Sequence, residues 1–154
     1  MQTFVMLSVA SLACYFDLRY RRVPNWLTIG GAVVGLIVNA AGGRLWPAAA
    51  GLLAGFLILL VPYLFGGVGA GDVKLLAAFG VILGPPVLRG TLIGVILGGL
   101  GALWLKGREG KLLSLAADTL AFLAGGGVRK PHVRPTLPYA VFLSVGMVIG
   151  RLVR

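Results

Sequence analysis

The chain alternates long apolar runs with short clusters of basic residues, and this alternation limits what it can fold into. Residues 1–16, 26–41, 46–65, 90–105 and 137–152 hold a single charged side chain between them, Arg151. An amphipathic helix of a soluble protein would show a polar face every three or four residues, and these runs do not. As a helix, the 20 residues of 46–65 extend about 30 Å, the thickness of a bilayer's hydrocarbon core. Composition agrees: 58% of the residues are hydrophobic and 12% charged, with a mean hydropathy of +0.99. That is too little polar surface for a soluble domain of this size. The expected fold class is an all-α integral membrane protein, one embedded domain over residues 1–154.

Residues 1–16 end at the charged stretch Asp17-Leu18-Arg19-Tyr20-Arg21-Arg22. A signal peptide carries its basic residues ahead of the apolar run, so a retained first helix is expected. Val23-Pro24-Asn25 turns the chain into a second crossing over 26–41, because proline fixes its own backbone and biases its predecessor away from helix. The third crossing is 46–65. A glycine-rich segment follows, Gly66 to Gly71, which predicts a break because each helical glycine costs about 1 kcal/mol. The apolar stretch 73–83 is short and stops at Gly84-Pro85-Pro86. Counted as a crossing, it makes six in all, with 90–105 and 137–152; residues 112–124 are expected to lie at the interface. Ten basic residues then fall on one side and Arg44, Arg89, Arg151 and Arg154 on the other, which places the ten in the cytoplasm and both termini outside. Gly94, Gly98, Gly99 and Gly101 predict close helix contacts in the fifth crossing.

The net charge of +10 does not indicate a nucleic-acid partner. The basic residues sit between apolar runs, where topogenic charge belongs, and no basic stripe is interleaved with aromatics. The expected surroundings are a lipid bilayer. The one cysteine, Cys14, rules out an internal disulfide and a CxxC zinc site, and reads as packing. His132 lacks neighbouring ligand types, so neither a metal nor a cofactor is expected.

Four acidic residues remain: Asp17, Asp72, Glu109 and Asp118. Glu109 lies among lysines and an arginine in a loop, and Asp118 belongs to the interfacial segment. Asp17 and Asp72 differ from these. Two crossings separate them, so they emerge on the same side at similar depth. Two carboxyls brought close there cannot both ionise cheaply and share one proton, which is the arrangement of an aspartic protease. Glycines 69 and 71 let backbone approach such a site. A second reading stays open at this level: Asp17 caps a helix or pairs with Arg19 or Arg21, and Asp72 caps the helix that follows it.

Gly69-Ala70-Gly71-Asp72-Val73-Lys74 resembles the GxGDxK motif of type IV prepilin peptidases, membrane aspartyl proteases with a GxGD signature. Asp17 followed by Val23-Pro24-Asn25 resembles the first motif of that family, and Arg134 to Tyr139 resembles its third patch. The three occur in the family's order. The resemblance implies an aspartic endopeptidase that removes the leader of prepilin or pilin-like precursors at the cytoplasmic face of a bacterial or archaeal cell membrane, with Asp17 and Asp72 catalytic. Gly69, Gly71, Lys74, Pro24 and Asn25 are the expected supporting or substrate-binding residues. Larger members also methylate the new N-terminus and carry a domain with two CxxC pairs. With one cysteine, this chain is expected to be peptidase-only, like the short branch found with tight-adherence pili. The third patch continues Pro138-Tyr139-Ala140 where the family often has glycine, and a structural role is assigned to it. A small cation- or proton-coupled transporter built on the same two aspartates is the alternative.

Overall fold

The computed structural model describes residues 1–64, 68–108 and 139–153. The expected interfacial helix over 112–124, Glu109, Asp118, His132 and all of the third patch except Tyr139 lie outside them. Among the described residues the fold is all-helical: α1 (Gln2–Tyr20), α2 (Asn25–Ala41), α3 (Leu45–Leu64), α4 (Ala70–Leu83), α5 (Val87–Arg108) and α6 (Tyr139–Leu152).

Most boundaries follow the sequence signals, with two informative departures. Pro24 has extended backbone (φ −69°, ψ 142°) and stands just ahead of α2, as a proline that cannot continue a helix should. Helix α1 does not stop at the first charge. It continues past Asp17 to Tyr20 and closes at Arg21, whose left-handed backbone lets its N–H reach the Asp17 carbonyl at 2.8 Å. Asp17 therefore projects from the last turn of a helix rather than from a loop. The glycine-rich break also ends earlier than expected, because α4 starts at Ala70 with Gly69 as its N-cap. Gly71 and Asp72 belong to its first turn, and the N–H groups of Asp72 and Val73 both bond to the Gly69 carbonyl. Asp72 does not precede the helix as a conventional cap would.

Helix α4 is the centre of the bundle. Val73, Leu75, Leu76, Ala78, Phe79, Gly80, Val81, Ile82 and Leu83 are all buried, so α4 is covered on every side. Its 14 residues make it about 21 Å long, shorter than α1, α2, α3 and α5. Small residues let α3 and α4 touch along their backbones. A Cβ at Gly51 would collide with the Gly80 carbonyl oxygen, and one at Gly55 with the Leu76 carbonyl oxygen. The same device joins α5 to α6, where Gly90 and Gly94 meet Gly146 and Gly150. Within the α5 glycine series Gly99 differs: a Cβ there would meet nothing within 4 Å.

Both ends of α4 are pinned. At its C-terminal end, buried Asn39 of α2 donates to the carbonyls of Val81 (2.9 Å) and Ile82 (3.3 Å), groups that a helix end leaves without partners. The Asn39 side-chain oxygen in turn accepts from Gln2 at 2.7 Å. At the N-terminal end, Lys74 Nζ donates to Asn25 Oδ1 at 3.0 Å, fixing the start of α4 to the start of α2. The rings of Phe16 and Trp26 meet edge-on at 5.6 Å and hold the end of α1 against the same place. The end of α1 and the starts of α2 and α4 thus gather at one pole of the bundle.

The exterior is apolar. Phe4, Leu12, Ile29, Ile37, Leu53, Leu57, Val61, Leu92, Ile96 and Leu100 are all exposed, while many interior contacts are made by alanine and glycine. Leu45–Leu64 is the one described helix that is long and apolar enough by itself to cross a membrane, with a mean hydropathy of 2.0. Asn25–Ala41, Val87–Gly101 and Tyr139–Leu152 are shorter apolar helices. This all-helical architecture is consistent with the expected class.

Candidate active site

At the pole where these helix ends meet lies a cavity of about 620 Å³. Asp17 and Asp72 both line it, together with Gly69, Gly71, Lys74 and Asn25. Of the residues singled out in the sequence, only Pro24 stands outside. It lines an adjoining apolar depression with Phe16, Tyr20 and Val23. The carboxyls of Asp17 and Asp72 are close enough to act on each other electrostatically. Helices α2 and α3 lie between them in the chain, and both acids stand at one end of the fold.

Each carboxyl has a local reason for its position. Asp17 is buried, and its Oδ2 accepts the backbone N–H of Ala140 at 3.1 Å. Ala140 is the second residue of α6, so the acid satisfies one of the unpartnered donors at that helix's start and lies at the positive end of its dipole. The capping role considered for Asp17 is therefore real, but the helix it caps is α6, 123 residues away. Capping and a place in the cavity are not exclusive, since a carboxylate has two oxygens.

Asp72 is half-buried in the first turn of α4 and folds back over the residue that starts it. A Cβ at Gly69 would lie 3.3 Å from Asp72 Oδ2, tighter than an ordinary contact, so glycine leaves room for the carboxyl. Gly71 faces the turn ahead of α2 less closely, with its nearest neighbour Val23 at 3.8 Å from where a Cβ would be. Lys74 is exposed, and its ammonium is held at the cavity rim by Asn25. The first two motifs are therefore joined directly, lysine to asparagine.

The far wall comes from α5 and α6. Val95, Gly98 and Gly99 supply an apolar side, and Tyr139 lines the cavity with them. Its ring is held against α5, because a Cβ at Gly98 would lie 3.2 Å from Tyr139 Cε2. Tyr139 is also within electrostatic reach of Asp72. From sequence the patch containing this tyrosine carries only a structural role, whereas in the fold Tyr139 lines the same cavity as the acids. The available signal was the expected count of six crossings, on which the last helix starts on the side where the first one ends.

Among the described residues no group of three histidine, cysteine or acidic side chains is placed to hold a metal ion. Cys14 is half-buried and free. The arrangement is a partly enclosed cavity with two acids within it, cations at its rim and one apolar wall. Paired carboxyls of this kind can take a proton from water and give one to a carbonyl oxygen.

Comparison with known families gives a match to the type IV leader peptidase family over residues 4–105. The match includes Asp17, the Val23-Pro24-Asn25 turn and the Gly69–Lys74 segment, and stops short of the third resembling patch. It lends no support to the ion-transporter alternative. No curated protein and no solved structure matches the chain. The family match extends over well more than half of the 154 residues, from the first helix through most of α5, and the protein belongs to the type IV leader peptidase family.

Proposed function

We propose that the protein is a membrane-embedded aspartic endopeptidase that removes the leader from prepilin or pilin-like precursors at the cytoplasmic face of the membrane. The observation that carries this reading is the presence of Asp17 and Asp72, from two separate helices, in one cavity. The family match supports a leader peptidase, and the apolar exterior of the bundle supports lipid as its surroundings. Both acids stand at the ends of apolar runs, 1–16 and 73–83.

The chemistry divides between the two acids. The Ala140 N–H at the start of α6 favours negative charge on Asp17, which makes Asp17 the base. Asp72, beside that charge, carries the shared proton. As the water oxygen bonds to the scissile carbonyl carbon, one water proton passes to Asp17. Asp72 gives its proton to the carbonyl oxygen, and a neutral gem-diol results. Collapse breaks the C–N bond: one diol hydroxyl returns its proton to Asp72, and Asp17 passes its proton to the departing nitrogen. The products are a leader with a free carboxyl terminus and a mature chain with a free amine.

Supporting residues act through backbone and position. Gly69 keeps space for the Asp72 carboxyl, Lys74 with Asn25 holds the starts of α4 and α2 in register, and Pro24 sets the start of α2. Methylation of the new terminus is not expected, since the chain has a single cysteine and no CxxC pair.

The test is to incubate the purified protein in detergent or liposomes with a pilin-like precursor and identify products by mass spectrometry. One cut that releases an intact leader and an unmethylated mature chain, undiminished by a chelator, is the expected result. An unprocessed precursor, or random degradation, would overturn the proposal.

A further inference from the structure

Two acids account for one hydrogen bond to the carbonyl under attack, yet a carbonyl oxygen has two lone pairs and gains charge as the water adds. The cavity lining offers few donors for the second. Arg21, Arg22 and Lys74 are exposed, and Lys74 is already turned toward Asn25. Tyr139 is the one hydroxyl-bearing residue among those described around the cavity. It is half-buried, and its position is fixed from two directions. Its backbone neighbour Ala140 is bonded to Asp17, and its ring rests against α5 at Gly98. A phenol ionises near pH 10, so at neutral pH it carries its proton and can donate it in a hydrogen bond.

We propose that Tyr139 is a catalytic residue whose hydroxyl donates a hydrogen bond to the carbonyl oxygen of the scissile peptide, alongside Asp72. The proposal rests on the protease reading above and assigns a substrate contact to a residue outside the paired acids. No proton leaves the phenol during the reaction. It holds the oxygen as charge develops and releases it when the gem-diol collapses. Rigid placement matters here, because a donor already aimed at the developing charge needs no reorganisation. The anchoring of α6 by Asp17 ties this donor to the base, so both approach the same peptide as one unit.

The experiment compares wild type with Tyr139→Phe, which keeps the ring against Gly98 and removes only the hydroxyl. The expected result is a loss in kcat of about 100-fold, the usual effect of deleting such a donor, with KM within about twofold and thermal unfolding unchanged. Replacing Tyr139 by a fluorinated tyrosine of lower pKa restores the rate at neutral pH. It also moves the alkaline limb of the kcat profile down to the new phenol pKa, which a packing role would not do. A wild-type kcat for Tyr139→Phe, a change confined to KM, or an unmoved alkaline limb overturns the proposal. Asp17→Asn and Asp72→Asn are assayed in parallel. If both are inactive while Tyr139→Phe is fully active, the tyrosine assignment alone falls. If either Asn variant cleaves at the wild-type rate, the paired-acid mechanism falls, and the tyrosine assignment with it.

Discussion

The carboxylate of Asp17 accepts the backbone N–H of Ala140 at 3.1 Å, joining the last turn of the first helix to the first turn of the last. This single contact gives Asp17 two jobs, one in the fold and one in the proposed chemistry, and substitutions separate them. Asparagine keeps an acceptor oxygen for Ala140 but cannot take up a proton as a base. Alanine removes the acceptor and leaves a buried N–H unpaired, at a cost of about 1–3 kcal/mol. Asp17→Asn is therefore expected to be inactive with near wild-type thermal unfolding in detergent, and Asp17→Ala to be inactive and less stable. Equal stability of the two variants would show that the contact contributes nothing to the fold.

Asn39 makes the complementary prediction at the opposite pole. It is buried, bonds to the carbonyls of Val81 and Ile82, and accepts from Gln2. Asn39→Ala leaves several polar groups without partners and is expected to lower stability by about 2 kcal/mol. Below its unfolding temperature the variant should retain cleavage, because the active-site end of α4 keeps its own anchor at Lys74. Abolished activity in a folded Asn39→Ala protein would show that the two poles are coupled.

Glycine positions that share one composition should respond differently. Gly80→Ala drives a methyl into the backbone of α3 at Gly51, and overpacking of this kind costs about 1–3 kcal/mol. Gly99→Ala adds a methyl where nothing lies within 4 Å and should leave stability unchanged or slightly raised. Thermal unfolding of the two variants side by side checks the assignment of α3–α4 as a backbone-to-backbone contact.

Lys74 and Asn25 are bonded side chain to side chain, so their effects should not add. Lys74→Ala and Asn25→Ala are each expected to reduce the processing rate severalfold, and the double variant no further. A double variant as slow as the product of the two single losses would mean that each residue acts alone.

Much of this was legible in the sequence because it depends on local pattern. Run length and the positions of Pro24, Gly84 and Pro85 mark the helices, and counting crossings brings Asp17 and Asp72 to one end. The motifs beside them indicated the family. Contacts between helices distant in the chain were not legible. Nothing in the sequence near residue 17 indicates that its acid would meet Ala140, because that depends on α1 and α6 being neighbours. Tyr139 was missed for the same reason. The glycines show the limit from another side: composition marks Gly94, Gly98 and Gly99 alike, and only the packing of α6 over α5 leaves the third uncovered. The extension of α1 beyond Asp17 also escaped, since charge at the end of an apolar run says where the lipid ends and not where the helix does.

In the proposed reaction Asp17 and Asp72 act together on one peptide bond. The most direct measurement of this is the single-turnover cleavage rate of a pilin-like precursor by the reconstituted wild type, Asp17→Asn, Asp72→Asn and the double variant. Each single substitution alone is expected to abolish cleavage and the combination to change nothing further, while all three variants insert and remain folded. Measurable processing by either single variant at a rate near that of the wild type would contradict it.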